Sequence, residues 1–367
     1  MTLNLLIAIT VAVIGGLVFK KIKFPAGLMV GAMLATGALN IFTGIVSVPG
    51  SVKLFIQVIA GAFVGMAMDK EKIRQLRTII KPAIVMVLGL LFVNISLGVL
   101  VYFITDMDLI TSLFSTVPGG MTDVSIISQD MGADTARTAV FQLARLIGVV
   151  TCFPIIIRAI NKRINKDSDV VTYKEEAADL IDVVEGDQNG SNEAIKSNIF
   201  NPKDAGEVIF TLVVAFVAGI IGRLSGVPAG AMLFSLIAVT IMKITTNKGY
   251  IPVILKQSAQ VLAGSFIGGS ITMEVVVGLK FVVVPIIIVL IAYTILCMSL
   301  GVLISKLFKI DLITALFACT PAGASDMALI ASDIGATGSQ VALFQIIRLI
   351  SVIAFFPGTI KIITDIF

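Results

Sequence analysis

Residues able to do chemistry gather in one of the most apolar parts of this chain. Between Ser115 and Val150 the sequence places Pro118, Gly119 and Gly120, then Thr122 and Asp123, then Gln142 and Arg145. A Pro-Gly-Gly break is where helical bonding stops and a chain can reverse. Thr122 and Asp123 are residue types that cap the start of a helix. A helix starting there presents unpaired N–H groups and the positive end of its dipole, which favour an anion or a polar ligand. Gln142 and Arg145 are three residues apart and share one face of the next helix. A second set, Pro321, Gly323, Ser325, Asp326, Gln345 and Arg348, repeats the pattern. Together these residues read as a site for a small anionic, carboxylate-bearing solute. Its field is positive, tempered by Asp123 and Asp326.

Each of these residues has a plainer reading. An arginine deep in hydrocarbon costs a few to more than ten kcal/mol if it faces lipid, so Arg145 and Arg348 need a partner or a wet cavity. That partner is Asp123, a set of hairpin carbonyls, or the solute itself; the residues alone leave all three open. Asp130 and Asp333 sit where the polar segments end and read as capping or solvated carboxylates. Gln57 and Gln260 read equally as cavity-lining groups or as bonds between helices. Gly27, Gly31, Gly61, Gly65, Gly264 and Gly268 read as close-packing positions.

The setting for these residues is a membrane. Of the 367 residues 57% are hydrophobic and 14% charged, against about 25% charged in soluble domains. Apolar runs of 17 to 25 residues recur, each long enough to cross ~30 Å of hydrocarbon as a helix. The strands of a β-barrel would alternate in polarity instead. Leu3 to Phe19 leads into Lys20 and Lys21 rather than a cleavage site, and reads as a first span, not a leader. The chain has no histidine, and Cys152, Cys297 and Cys319 all lie in apolar segments. No metal, disulfide framework or cofactor site is expected, and without one an oxygen-chemistry enzyme is excluded.

An offset of 203 residues superposes the two halves without a gap. It aligns Pro25-Ala-Gly with Pro228-Ala-Gly and Asp108-Leu-Ile-Thr with Asp311-Leu-Ile-Thr. Over Asp108–Ile157 against Asp311–Ile360, 23 of 50 positions are identical, an internal repeat in the sense that prolines, glycines and charges keep one register. The repeats are residues 1–157 and 204–367, separated by a polar linker over 158–203. Each half offers five spans, near 3–19, 24–45, 52–68, 82–104 and 136–157, then 206–222, 228–244, 252–268, 281–304 and 340–360. Segments 108–131 and 311–334 have two arms of about nine and eleven residues around a Pro-Gly break. Each arm reaches only ~15 Å, half a bilayer. Loop charges decide between crossing and turning back. With both segments re-entrant and the N-terminus outside, 20 of the 27 lysines and arginines fall on the cytoplasmic side, including Arg158-Ala-Ile-Asn-Lys-Arg-Ile-Asn-Lys. The expected fold is an all-α polytopic protein of 10 spans plus 2 re-entrant hairpins. Five spans per half invert the second repeat relative to the first, the architecture of secondary transporters.

The duplicated blocks "TVPGGMTDVSIISQDMGAD…TAVFQLARL" and "TPAGASDMALIASDIGAT…VALFQIIRL" resemble the AbrB family of bacterial membrane proteins. That family is often labelled ammonia monooxygenase and shares its name with an unrelated soluble transcription regulator. The resemblance spans both halves. It implies kinship with bile-acid/sodium symporters, auxin-type carriers and cation/proton antiporters. By that likeness the chain is an ion-coupled transporter of the bacterial inner membrane, with a scaffold and a mobile core carrying the hairpins, and a homodimer is an expectation. The family motif positions fall on Pro118, Gly120, Asp123, Gln142 and Arg145, then Pro321, Gly323, Asp326, Gln345 and Arg348. Three functions follow as expectations. The first is a Na⁺- or H⁺-coupled secondary transporter of a small anionic solute. The second is a cation/proton antiporter using Asp123 and Asp326, and the third a membrane sensor or regulatory protein. A nucleic-acid partner is not expected; the lipid bilayer and a small solute are.

Overall fold

A computed structural model describes residues 2–22, 24, 26–46, 49–164, 205–322, 327, 330, 331, 334 and 336–366. Most of the expected linker, and Gly323, Ser325, Asp326 and Asp333, lie outside the described residues. Those described form thirteen helices of eight or more residues and no strand. The first repeat comprises α1 (Thr2–Lys21), α2 (Gly27–Thr43), α3 (Gly50–Met66), α4 (Lys70–Ile104), α5 (Leu109–Thr116), α6 (Met121–Asp130) and α7 (Thr135–Ile164). The second comprises α8 (Ala205–Leu224), α9 (Gly230–Thr246), α10 (Val253–Gly268), α11 (Met273–Phe308), α12 (Leu312–Cys319) and α13 (Gly338–Ile366). α1, α2 and α5 coincide in both bounds with α8, α9 and α12 at the 203-residue offset. Prolines recur inside the long helices at matching places, Pro82 with Pro285 and Pro154 with Pro357. The linker starts later than its polarity suggests, because α7 continues through Ile164.

Among the described residues six helices are long and apolar enough to cross a bilayer: α1, α4, α7, α8, α11 and α13. The four shorter ones, α2, α3, α9 and α10, have 16 or 17 residues, a length of about 25 Å at 1.5 Å per residue. The outward faces of the long helices carry exposed large apolar residues such as Leu17, Phe92, Phe103, Val217 and Val284. Exposed apolar side chains in such number, on helices of this length, belong against lipid. The chain is a helical, membrane-embedded protein.

The helices sort into two bodies. α1, α2 and α10 pack together, as do α8, α9 and α3, and the two sets meet through α3 and α10. Their contacts are backbone-close. A side-chain carbon on Gly61 would lie 2.2 Å from the Met232 carbonyl oxygen, and one on Gly264 would lie 2.4 Å from that of Met29. Only glycine admits such an approach. The second body joins α4, α5, α6 and α7 to α11, α12 and α13 around a buried cluster that includes Met86, Leu90, Phe153, Tyr293, Phe317 and Phe344.

Within that body α5 and α6 form a hairpin. Asp108 caps α5, its carboxylate accepting from the Thr111 N–H at 3.2 Å. Thr111 Oγ1 in turn accepts from the N–H of Asp134, beyond the end of α6, at 2.8 Å. The start of the first arm and the exit of the second therefore lie side by side. In the second repeat Asp311 caps α12 at 2.8 Å, and Thr314 Oγ1 accepts from Thr337 N–H at 3.1 Å.

Candidate functional site between the two hairpin tips

The first arm of each hairpin ends in the protein interior, where its last carbonyls meet no water and must find donors. Gln142 and Arg145 supply them. Gln142 Nε2 donates to the carbonyls of Phe114 at 2.9 Å, Ser115 at 3.4 Å and Val117 at 3.1 Å. Arg145 donates one terminal nitrogen to Val117 O and the other to Gly119 O, the latter at 2.7 Å. Gln345 and Arg348 repeat this on the second hairpin. Gln345 reaches Phe317, Ala318 and Thr320, while Arg348 reaches Thr320 and Ala322, both at 2.7 Å. All four side chains are buried. Each guanidinium also faces the negative end of a helix dipole, which favours a cation. Of the partners left open by the residues, Arg145 takes the hairpin carbonyls and not Asp123. Tyr293 from α11, fully buried, lies beside the same guanidinium.

The helix start differs from the capping expectation. α6 begins at Met121, with Gly120 as its cap residue and no side-chain cap bond. The turn is tightened by a Gly119 N–H to Val117 O bond at 2.9 Å, and the first helical bond, Val124 N–H to Gly120 O, follows at 2.9 Å. The chain thus enters the helix too early for Thr122 or Asp123 to cap it. Thr122 instead donates its hydroxyl to Met29 Sδ at 2.8 Å, and Asp123 sits in the first turn, where a carboxylate suits the dipole.

A cavity of about 140 Å³ lies between the two bodies. Gly119, Gly120, Thr122 and Asp123 from the first tip line it, with Pro321 and Ala322 from the second, and both Arg145 and Arg348. The facing wall comes from α3 (Ile59, Phe63, Val64) and α10 (Lys256, Gln260). Most of the described candidate residues therefore share one cavity. Pro118, Gln142 and Gln345 stand outside its lining and act on it through the tip carbonyls or the turn. Lys256 is not among the residues that the sequence offered for the site. Its ammonium lies 4.2 Å from the centre of the Phe63 ring. The available signal was the repeat, since Lys256 and Gln260 stand 203 residues after Lys53 and Gln57.

The two glutamines differ in role. Gln260 lines the cavity, while Gln57 donates to Asp130. Lys53 forms an ion pair with the same carboxylate, so Asp130 is neither a cap nor simply solvated. Lys53, Gln57 and Asp130 line a separate pocket of about 490 Å³ with Arg223, Ala229 and Lys361, and no tip residue reaches it. Among the described residues no group of three or more His, Cys, Asp or Glu side chains is placed to hold a metal.

Comparison with known proteins finds matches over nearly the whole chain. A family model described as "Transition state regulatory protein AbrB" matches residues 1–161 and 177–364. The chain is 24% identical to the uncharacterized protein YhjN of Bacillus subtilis (strain 168) over 281 residues, 75% of this chain and 68% of that one. It is 23% identical to a candidate regulator AbrB of Escherichia coli (strain K12) over 352 residues, 94% of this chain and 92% of that one.

Proposed function

This chain belongs to the AbrB family, and from that premise we propose that it is a secondary active transporter for a small anionic, carboxylate-bearing solute, coupled to Na⁺ or H⁺. One observation carries the proposal: both hairpin tips and both arginines line a single cavity between two helical bodies. In this reading the ten long and short spanning helices form two inverted repeats and α5–α6 is a re-entrant hairpin, as is its copy. The body holding the hairpins moves against the one built on α1–α3 and α8–α10. The N-terminus lies outside and residues 158–203 lie on the cytoplasmic side of a bacterial inner membrane. The arginines contribute through charge and by holding the tip backbone in place.

The test is uptake of labelled carboxylates into proteoliposomes by wild type, Arg145→Ala and Arg348→Ala, with inorganic cations as the alternative cargo. Carboxylate uptake by wild type that is lost in both variants, each still purified as folded protein, supports the reading. Transport of cations alone, untouched by either change, overturns it.

A second reading is favoured by the position of Asp123. Its carboxylate lines the cavity while Arg145 is occupied by carbonyls, as suits a cation/proton antiporter that loads and releases its ion there. Asp123→Asn abolishing proton-coupled cation flux, with Asp123→Glu sparing part of it, would favour this reading. A regulatory role rests only on the description attached to the family model and to the relative from E. coli. Transport unaffected by deletion of residues 167–197 would make the linker dispensable to the transporter.

A further inference from the structure

The two pockets between the helical bodies are matched by the repeat. The larger, of about 490 Å³, is lined by Lys53, Gln57 and Ala229 among others. Offset by 203 residues from these stand Lys256, Gln260 and Ala26, which line the cavity between the tips. In the inverted repeats of the transporter reading, matched pockets approach the tips from opposite faces. One of the two reaches the tips. The larger pocket ends instead at the base of the first hairpin, on Ile110, Asp130 and Met131.

What stops it is a short length of α3 pressed against α6. Gln57 lines the larger pocket, while Ile59 and Ala60 line the tip cavity. Two or three residues, about 3–5 Å of helix, therefore divide the two spaces. At that point Ile56 and Ile59 pack with Ile126 of α6, all three fully buried. A dry apolar constriction of this kind bars ions and polar solutes. On its pocket side the Asp130 carboxylate accepts from both Lys53 and Gln57. The two donors belong to one body and the acceptor to the other, so this contact breaks if the bodies slide. The Lys53–Asp130 pair is partly exposed, at 18% and 30% of the two side chains. Water can replace either partner, and such a pair opens at little cost.

We infer that this contact is a gate. The seal of Ile56, Ile59 and Ile126, clasped by Lys53, Gln57 and Asp130, closes the tip cavity to the face that carries the larger pocket. It opens when the hairpin body moves. The inference rests on the movement in the transporter reading, and adds to it which face is shut and what holds it shut.

The experiment reads access and needs no cargo. It uses the full-length protein in right-side-out and inside-out membrane vesicles. Cys152→Ser removes the exposed thiol, and Val64→Cys on the wall of the tip cavity is the reporter. A membrane-impermeant maleimide is added from one face at a time. The same protein without the reporter gives the background from Cys297 and Cys319, both buried. From the face of the larger pocket the parent is expected to label slowly. Asp130→Asn and Lys53→Met should each raise that rate about two- to fivefold, the range for losing one partly exposed ion pair. Gln57→Leu should raise it too. Lys53→Asp combined with Asp130→Lys restores the pair with its charges reversed and should bring the rate back to near the parent value. Lys361→Met, in the same pocket but outside the clasp, should leave it unchanged.

Clasp variants that label at the parent rate overturn the inference, as does a parent that labels fast from this face. A rise of equal size from both faces also overturns it, since that is the result of a merely structural contact. So does a charge-reversed pair that stays as fast as the single variants. None of these results touches the transporter reading, which uptake into proteoliposomes decides. Cation-only uptake overturns that reading and, with the labelling as expected, leaves the gate standing.

Discussion

The two copies of the repeat agree behind the hairpins and diverge around them. In each copy the same glutamine and arginine serve the same carbonyls of the first arm, residue for residue. Elsewhere the copies part. Asn94 of α4 donates to Leu113 O at 2.9 Å and to Thr116 Oγ1 at 2.8 Å, whereas the equivalent residues of the second copy are Cys297 and Cys319, both buried. Lys53 and Gln57 engage Asp130 outside the cavity, while Lys256 and Gln260 are part of the cavity lining; Asp333, the counterpart of Asp130, lies outside the described residues. Gly119 at the first tip has Ala322 as its counterpart. What stays constant is what a broken helix in a dry interior demands of any sequence, namely donors for its orphan carbonyls. What varies is the part facing the cavity and the second line of support.

This contrast can be broken in several ways. The largest expected effect is on the shared frame. Arg145→Ala and Arg348→Ala each strip two buried carbonyls of a charged donor and should destabilise the protein by about 3–5 kcal/mol. The losses should be similar in the two copies, read as the melting temperature of purified protein. Arg→Lys should recover under half, because an ammonium lacks the planar fork. A large asymmetry between the copies would show that the frame is not equivalent after all. Next, Gln142→Leu and Gln345→Leu should each cost ~1–3 kcal/mol, the cost of leaving buried carbonyls unserved. Matched losses in the same melting measurement again support equivalence.

The divergent positions should respond unequally. Asn94→Ala should cost about 1–2 kcal/mol through its two lost bonds, while Cys297→Ala in the second copy should cost less, since a thiol is a weak donor. Equal losses would mean that the cysteines bond as Asn94 and Thr116 do. The smallest effect is expected at Lys53→Met, where the ion pair with Asp130 is partly exposed and should contribute about 1 kcal/mol or less. A loss in stability well above that would mark the Asp130 contact as part of the structural frame.

Much of this molecule was legible in its sequence because the physics involved is local. A 203-residue register set by Pro, Gly, Asp, Gln and Arg identified the repeat, and helix bounds recur at that spacing. Pro118-Gly-Gly marked the break because helix bonding cannot run through it. Arg145 marked the depth of the site because a charge in hydrocarbon must be answered. The same reasoning placed Gln142 beside Arg145, since spacing along one helix decides which side chains share a face.

Which neighbour that face meets is another matter. Arg145 had three candidate partners, and only packing α7 against the end of α5 directed it to Val117 and Gly119, 28 and 26 residues away in the chain. Lys256 joins the site only because α10 is set against the hairpin tips. Thr122 and Asp123 have the chemistry of caps, yet the tight turn at Gly119 starts the helix ahead of them. Sequence alone determined that polar groups are buried here and that they come in two matched sets. Only the tertiary structure decided which of them hold the backbone and which face the cavity, because a hydrogen bond is satisfied by whichever group the fold brings within about 3 Å.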